Sequence, residues 1–535
     1  MIKKYNLLLV GIFALGLVLR LYQLGNYPAL NADEAALGYN AYSLLETGKD
    51  EHGNSWPIHF QSFNDYKPGL TVYLILPFVK LFGLNIWSVR IFPMFLSSLT
   101  ILAIYYLVQE LFSNRRFSLL SALFLSISPW HIHFSRGAWE VSIATFFMTF
   151  GMWSFLRARS SPKLYLLSVL VFAASLYTYH SARLVTPLLG LGLLVFQYKN
   201  MLNDKAIIGL SIGLGIIVLT PLILDLMGPA GISRASGVGI TADMGTVSRI
   251  NEQRGEHANQ DGLWTKALHN KLVNFGLVFT KNWSDHYWGE FLFNSGDEIQ
   301  RNKVPEMGQM YIFDIIFILI GFAGIVKLKV KNNWKLVIWW LIVAPVASAL
   351  TFQSPHALRA HNMVIPMVII SAYGFSVMMN RIHRVGLILF IVLIVLGVSR
   401  YLHLYWVHTA KAYPYSSQYG VSELVGYLSG KTGEYKKILV TDRYDQPYIL
   451  FLFYSKFPPE KFQQEHVLTD RDRFGFSTVR EFGNYHFERI DFEKIRGSSS
   501  DSLIVGTSKE IPSDANIVKT IAFPNGEDAF RVVEN

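Results

Sequence analysis

Apolar runs separated by short polar breaks dominate the first three quarters of the chain, and most are long enough to cross a bilayer. A run of about 17 to 25 residues in helical conformation spans a hydrocarbon layer roughly 30 Å thick. The first, Asn6 to Leu24, follows Lys3 and Lys4 and is not succeeded by a small-x-small cleavage site, so it predicts an uncleaved span with its amino end in the cytoplasm. Further spans are expected near 88–111, 117–133, 139–157, 163–180, 183–198, 206–225, 310–328, 335–352, 362–379 and 385–401, about eleven crossings in all. The stretch from Leu70 to Phe82 is apolar but short and broken by Pro77, which favours an interfacial or re-entrant helix.

The polar breaks carry orientation. With alternating spans, Arg115-Arg116, Arg157 with Arg159 and Lys163, Lys199 with Lys205, Lys327 with Lys329, Lys331 and Lys335, and Arg381 with Arg384 all fall on the side of Lys3 and Lys4. The positive-inside rule makes that side cytoplasmic. It places outside the loop 25–86, the polar loop 226–308 and the carboxyl terminus, as expected of a cell (plasma) membrane protein in contact with membrane lipids. After about Leu402 the composition becomes that of a soluble fold: Lys437–Thr441, Ser502–Gly506 and Ala529–Val533 read as strands and Val421 to Leu428 as a helix. The expected architecture is a polytopic α-helical membrane module over 1–402 and an extracytoplasmic α/β domain over 403–535.

Composition agrees: 51% of residues are hydrophobic and 16% charged, where a soluble chain carries about 25% charged residues. With no cysteine, disulfides, thiolate metal sites and a thiol nucleophile are excluded. The net charge of +10 sits in the loop clusters, so it reports topology and no nucleic-acid partner is expected. The loop 226–308 is longer than a connector needs, the hallmark of a lid or binding surface.

Against that background the charges on the outer side are few and single. Asp33 and Glu34 stand together soon after the first span. Around them in sequence are the lone cations Lys67, Arg136, Arg183 and Arg359, with Glu140 four residues after Arg136. Acids at a membrane boundary mark sites by default. An Asp-Glu pair opening a helix is also favoured by the helix dipole, by about 0.3 to 1 kcal/mol, and lone arginines at span ends can snorkel to headgroups. The chemistry such a set suits is group transfer: a carboxylate accepts the proton of an attacking hydroxyl while lysine and arginine neutralise a phosphate leaving group. A polyprenyl phosphate sugar presents that phosphate at the outer leaflet. His131 and His133 at i, i+2 point apart on a helix, and His257, His269 and His286 are what a polar loop contains anyway, so no metal site is assigned.

Taken in order, Asp33-Glu34 after the first span, Lys67-Pro68, Ser128-Pro129, Arg136-x-x-x-Glu140 and Pro355-His356-Ala357-Leu358-Arg359 resemble the GT-C superfamily of lipid-linked glycosyltransferases, nearest its protein O-mannosyltransferase and aminoarabinose lipid A transferase branch. The resemblance covers roughly residues 1 to 400. It implies inverting transfer of one hexosyl or pentosyl unit from an undecaprenyl or dolichyl phosphate donor to a protein, lipid or glycan acceptor outside. It puts Asp33, with Glu34 beside it, in the catalytic position. Lys67, Arg136, Arg359 and Arg183 fall to the donor phosphate, and Asp65, Tyr66, Glu140 and His356 to substrate positioning. Many relatives have aspartate at Glu140, and the aminoarabinose branch has an acid where this chain has Tyr66, with Asp65 one step earlier. No cofactor is predicted, and a divalent metal is left open. An oligosaccharide ligase or polymerase working from a diphosphate-linked glycan is the enzymatic alternative. A lipid or solute transporter is the other, and would need charges spread through the depth of the bundle.

Overall fold

The computed structural model describes residues 2–62, 65–201, 203–228, 231, 239–242, 244–327, 332–470, 477–496 and 501–534. Lys329 and Lys331 of the fourth basic cluster lie outside the described residues, as does the side chain of Asp65. In chain order come α1 (Ile2–Leu21), α2 (Ala32–Thr47), the hairpin β1 (His59–Ser62) and β2 (Asp65–Pro68), α3 (Leu70–Phe82) and α4 (Ile86–Ser98). Next are α5 (Thr100–Phe112), α6 (Arg115–Ile127), α7 (Pro129–Ser135), α8 (Glu140–Arg157), α9 (Leu164–Thr178), α10 (Ala182–Met201) and α11 (Lys205–Leu226).

Among the described residues, five helices are long and apolar enough to cross a membrane: Lys3–Leu21, Ile86–Phe112, Lys205–Leu226, His361–Met379 and Arg384–Ala412. A sixth is obtained if α6 and α7, bent by 58° at their junction, count as one. The expected eleven therefore exceed what helix length and composition support. The shortfall has local causes. Pro129 disfavours helical backbone at Ser128 and splits one run, and Pro345 interrupts another between Asn332–Val343 and Val346–Ala349. α9 has only 15 residues. Leu7 and Val10 of α1, Ile217 of α11 and Leu389 of Arg384–His403 stand exposed, as lipid-facing side chains do.

Contacts divide the chain into two units. The first comprises Met1–Leu19, Leu96–Ser135 and Glu140–Tyr401. It is helical. In one close crossing Asp314–Lys327 meets Val364–Met379, where a Cβ on Gly374 would collide with the Phe317 carbonyl and one on Gly321 with that of Ile370. Small residues let membrane helices approach this closely.

The second unit joins Arg20–Phe95 and Arg136–Trp139 to Leu402–Asn535. Its centre is a seven-stranded sheet in the order β4-β5-β6-β3-β7-β9-β8: β3 (Lys437–Thr441), β4 (Val467–Leu468), β5 (Val479–Phe482), β6 (Tyr485–Glu488), β7 (Ser502–Gly506), β8 (Ile517–Ala522) and β9 (Asp528–Glu534). β3 runs parallel to β6 and to β7, and β9 antiparallel to β7. The two central strands read Lys-Ile-Leu-Val-Thr and Ser-Leu-Ile-Val-Gly, near-continuous apolar runs of the kind that parallel strands covered on both faces require.

Ala35, Ala36, Tyr39 and Leu44 of α2 join the same core as Val425, Ile449 and Phe453. Gly38 permits this approach, since a Cβ there would stand 2.7 Å from the Phe453 ring and 2.6 Å from Val89. Gln418 accepts from the Ala32 N–H at 2.7 Å, and Gln463 donates to Ser43, Thr47 and the Asp50 carbonyl.

Candidate functional site

The site begins with a helix cap. Asn31 precedes α2 and its side-chain oxygen accepts the N–H of Glu34, while the Glu34 carboxylate reaches back to the Asn31 N–H, a reciprocal capping box. Capping fixes the first turn, and with it the directions of its two acids. Glu34 turns inward. Arg90 of α4 grips it through Nε at 2.7 Å and a terminal nitrogen at 2.6 Å, and the Ala138 N–H adds 2.9 Å. Arg90 also donates to the carbonyls of Leu24, Pro28 and Ala29. Both partners are buried, so the pair locks the loop after the first span onto α4 and α2.

Asp33, one position earlier, turns the other way. Its carboxylate lies 2.5 Å from the Lys67 ammonium, with 30% of the Asp33 side chain and 13% of the Lys67 side chain exposed. Lys67 sits on β2 opposite Phe60 of β1. Gly69 closes the hairpin where a Cβ would meet the Ile58 carbonyl at 2.7 Å. Alternation along β2 sends the half-buried Tyr66 to the opposite face from Lys67. Of the two predicted catalytic acids, the structure leaves only Asp33 at an accessible surface and assigns Glu34 a buried structural bond.

Arg136, expected at a donor phosphate, is buried completely. It donates to Tyr405 at 3.1 Å and to the carbonyls of Arg20 and Tyr27, and its guanidinium lies 4.3 Å from the Trp406 ring. Such an arginine ties chain segments together, much as Arg90 does.

Beside these residues, in the same unit, lies a carboxyl that the motifs did not mark. Glu51 is wholly buried, and neither of its oxygens makes a hydrogen bond among the described residues. Burial pushes its carboxyl up to about 8, helped by neighbouring Asp50 and opposed by Asn40, Lys67 and Tyr448. His52 stands 3.7 Å away, but burial pushes that imidazole down to about 3, so the contact joins two neutral groups at neutral pH. A lone Arg in the apolar run Ile86–Ser98, and a Glu in Lys49-Asp50-Glu51-His52, were the signals that could have flagged Arg90 and Glu51.

The remaining candidates belong to the first unit. Glu140 opens α8 and is buried. Arg183 is half-buried and donates to the Leu176 carbonyl at 3.1 Å beside His180. Arg359 donates to Thr351 at 2.6 Å and is half-buried. His356, expected to position substrate, is buried, 3.4 Å from Asp297. Asp297 also accepts from the Ala357 N–H at 2.6 Å and from Asn302. Burial alone would raise the Asp297 carboxyl, but these donors hold it below its usual range; burial lowers His356, with Asp297 pulling the other way. His286 closes the cluster. Its Nδ1–H donates to the Asn282 carbonyl, and its Nε2 accepts from Ser348 and from the His356 N–H, the pattern of a neutral imidazole, in keeping with burial pushing it down to about 4. The cluster builds the loop that carries Arg359. Among the described residues no group of three or more His, Asp or Glu is arranged to hold a metal ion.

Comparison with known proteins points the same way as the motifs. The sequence model of the dolichyl-phosphate-mannose-protein mannosyltransferase family matches residues 10–176, the segment that holds Asp33, Lys67, Arg136 and Glu140. An uncharacterized protein of Aquifex aeolicus is 27% identical over 176 residues, 33% of this chain and 34% of that one. The chain thus spans about a third of that relative. Two solved structures of ArnT from Cupriavidus metallidurans are similar in fold across nearly both full lengths. The apo form has a TM-score of 0.54 at 12% identity, covering 98% of this chain and 96% of ArnT. The form bound to undecaprenyl phosphate has a TM-score of 0.51 at 11% identity, covering 99% and 97%. The archaeal oligosaccharyltransferase AglB of Archaeoglobus fulgidus, in complex with an inhibitory peptide and a dolichol-phosphate, gives 0.51 at 13% identity, covering 84% of this chain and 63% of AglB. The chain shares its fold with ArnT and AglB.

Proposed function

We propose that this protein is a membrane glycosyltransferase that moves one hexosyl or pentosyl unit, with inversion, from a polyprenyl phosphate to an acceptor on the outer face of the membrane. The observation that carries this reading is the Asp33–Lys67 pair, a half-buried carboxylate held 2.5 Å from a cation at the capped start of α2. Support comes from the family model over 10–176 and from relatives of like fold bound to undecaprenyl phosphate and dolichol-phosphate. On this reading the acceptor hydroxyl gives its proton to Asp33 as its oxygen bonds to the anomeric carbon. The bond from that carbon to the phosphate oxygen breaks, and the polyprenyl phosphate leaves with the electron pair. Lys67 takes up its charge. The amino terminus is cytoplasmic, and helices beyond the five or six of clear span length complete about eleven crossings.

Asp33→Asn tests this. Transfer to acceptor should fall by at least about a hundredfold, the low end of what a general base contributes, with membrane insertion unchanged. Lipid extracts of the variant should contain accumulated phosphoprenol bearing one sugar; undiminished transfer sinks the assignment. The likeness to AglB favours one second reading, transfer of a preassembled glycan, and the mass of the transferred unit separates the two. Because protein cations meet the phosphate charge, EDTA should leave activity within about twofold. Loss on chelation with recovery on adding a divalent ion would overturn that part.

A further inference from the structure

The sheet of the second unit has a second feature that the transfer reading does not use. In sheets with parallel strands, ligands bind in the crevice beyond the carboxyl ends, where successive connections leave in opposite directions. Here β3 is flanked by β6 on one side and β7 on the other, both parallel to it. The carboxyl ends of all three open into two cavities, of about 710 and about 700 Å³, which share Arg443, Ser508 and Lys509. The first is walled further by Tyr415, Phe523 and Asp528, the second by Arg489 and Asp491.

One buried acid holds the crevice open. Glu510 accepts from Thr441 at the end of β3, from the Ile490 N–H after β6, and from the N–H and hydroxyl of Thr507 after β7. It also lies 2.9 Å from Arg443 Nε, which fixes that guanidinium, 34% exposed, at the divide between the cavities. The loop ends are thus preorganised, as a recognition site requires.

Charge and ring surface define what fits. Asp528 is paired with Arg531 and Asp491 with Lys494. Arg489 and Lys509 are exposed and form no ion pair among the described residues, and the terminal nitrogens of Arg443 make no hydrogen bond among them. The lining that both cavities share therefore offers the terminal nitrogens of Arg443, whose charge Glu510 offsets, and the ammonium of Lys509. Glu527 and Asp528 on the far rim can accept from hydroxyls. Tyr415 is 47% exposed, packs on Tyr444 at 4.7 Å, and its hydroxyl donates to the Arg443 carbonyl, so its ring is held as a flat face at the cavity wall. A ring face, hydroxyl acceptors and an anchored cation pair suit a sugar that carries an acid.

We infer that this crevice binds an acidic saccharide, with its ring on Tyr415, its hydroxyls on Glu527 and Asp528, and its carboxylate or phosphate on Arg443 and Lys509. Its use as the acceptor-recognition site rests on the function proposed above; the binding does not.

Hydrogen exchange on the full-length protein in detergent tests the binding, with a uronic-acid tetrasaccharide, a neutral tetrasaccharide and inorganic phosphate as probes. The acidic saccharide should slow exchange at 441–445 and 507–510. The double variant Arg489→Glu/Lys509→Glu, both exposed and outside the Glu510 network, should weaken this tenfold or more, as should Tyr415→Ala. Equal protection by the neutral saccharide, equal protection by phosphate alone, or no protection by the acidic one overturns the inference. Asp33→Asn should bind the acidic saccharide as the wild type does. Continued transfer by that variant defeats the proposed function and leaves this binding result standing, so the two readings fail separately.

Discussion

At the scale of single residues, three carboxyls close in sequence have three different fates, set by what each touches. Asp33 meets Lys67 at a surface, Glu34 meets Arg90 in the interior, and Glu51 is wholly buried beside the neutral His52, its oxygens without a hydrogen bond among the described residues. Removing one member of a buried pair strands the other charge, so Arg90→Met should destabilise the protein by about 3 to 5 kcal/mol, read as a lowered unfolding temperature in detergent. The double variant Glu34→Leu/Arg90→Met should recover part of that loss; a double variant worse than the single one would contradict it. Glu51 makes a pH prediction. Its carboxyl is raised in the fold to about 8, from about 4.3 in an unfolded chain, so it contributes stability that is complete at low pH and lost as pH rises through about 8. His52, lowered to about 3 from about 6.5, contributes the opposite slope below pH 6.5. The clean window is therefore pH 6.5 to 8. There the wild type should lose stability with rising pH by up to ~1 kcal/mol per unit and Glu51→Gln should not. Parallel slopes for the two proteins would refute this.

At the scale of elements, α2 does two jobs at once. Its first turn carries the capping box that aims Asp33, and its middle packs through Gly38 on Val89 and Phe453. Gly38→Val inserts methyls where no space exists and should cost about 1 to 3 kcal/mol, with transfer activity falling as α2 shifts. Activity and melting temperature both unchanged would show that α2 can move without consequence. The strands at 437–441 and 502–506 were legible because fully buried parallel strands must be apolar along their length, a signal that needs no partner to be recognised. The short strands β4, β5 and β6 passed unnoticed, since four or fewer residues carry little periodicity.

At the scale of the whole molecule, the apolar runs alone identify a helical membrane protein, because a bilayer demands them whatever the fold. They do not count the crossings. Prolines and short runs leave five or six helices of clear span length among the described residues, against about eleven runs read from hydropathy. The order of motifs also carried the family likeness, and with it the expectation that Asp33 and Lys67 belong to one site. Which unit each segment joins was decided only by tertiary structure. The loop 20–95 and the turn 136–139 share a unit with the carboxyl-terminal sheet because the apolar face of α2 finds its cover on Ile449 and Phe453, some four hundred residues later. Tertiary structure also divided the roles of like residues. Asp33 and Glu34 are neighbours in sequence, as lone outer cations Arg136 and Lys67 are equals in it. Burial and partners, which no linear pattern encodes, make one of each pair a buried clamp and leave the other partly open to solvent.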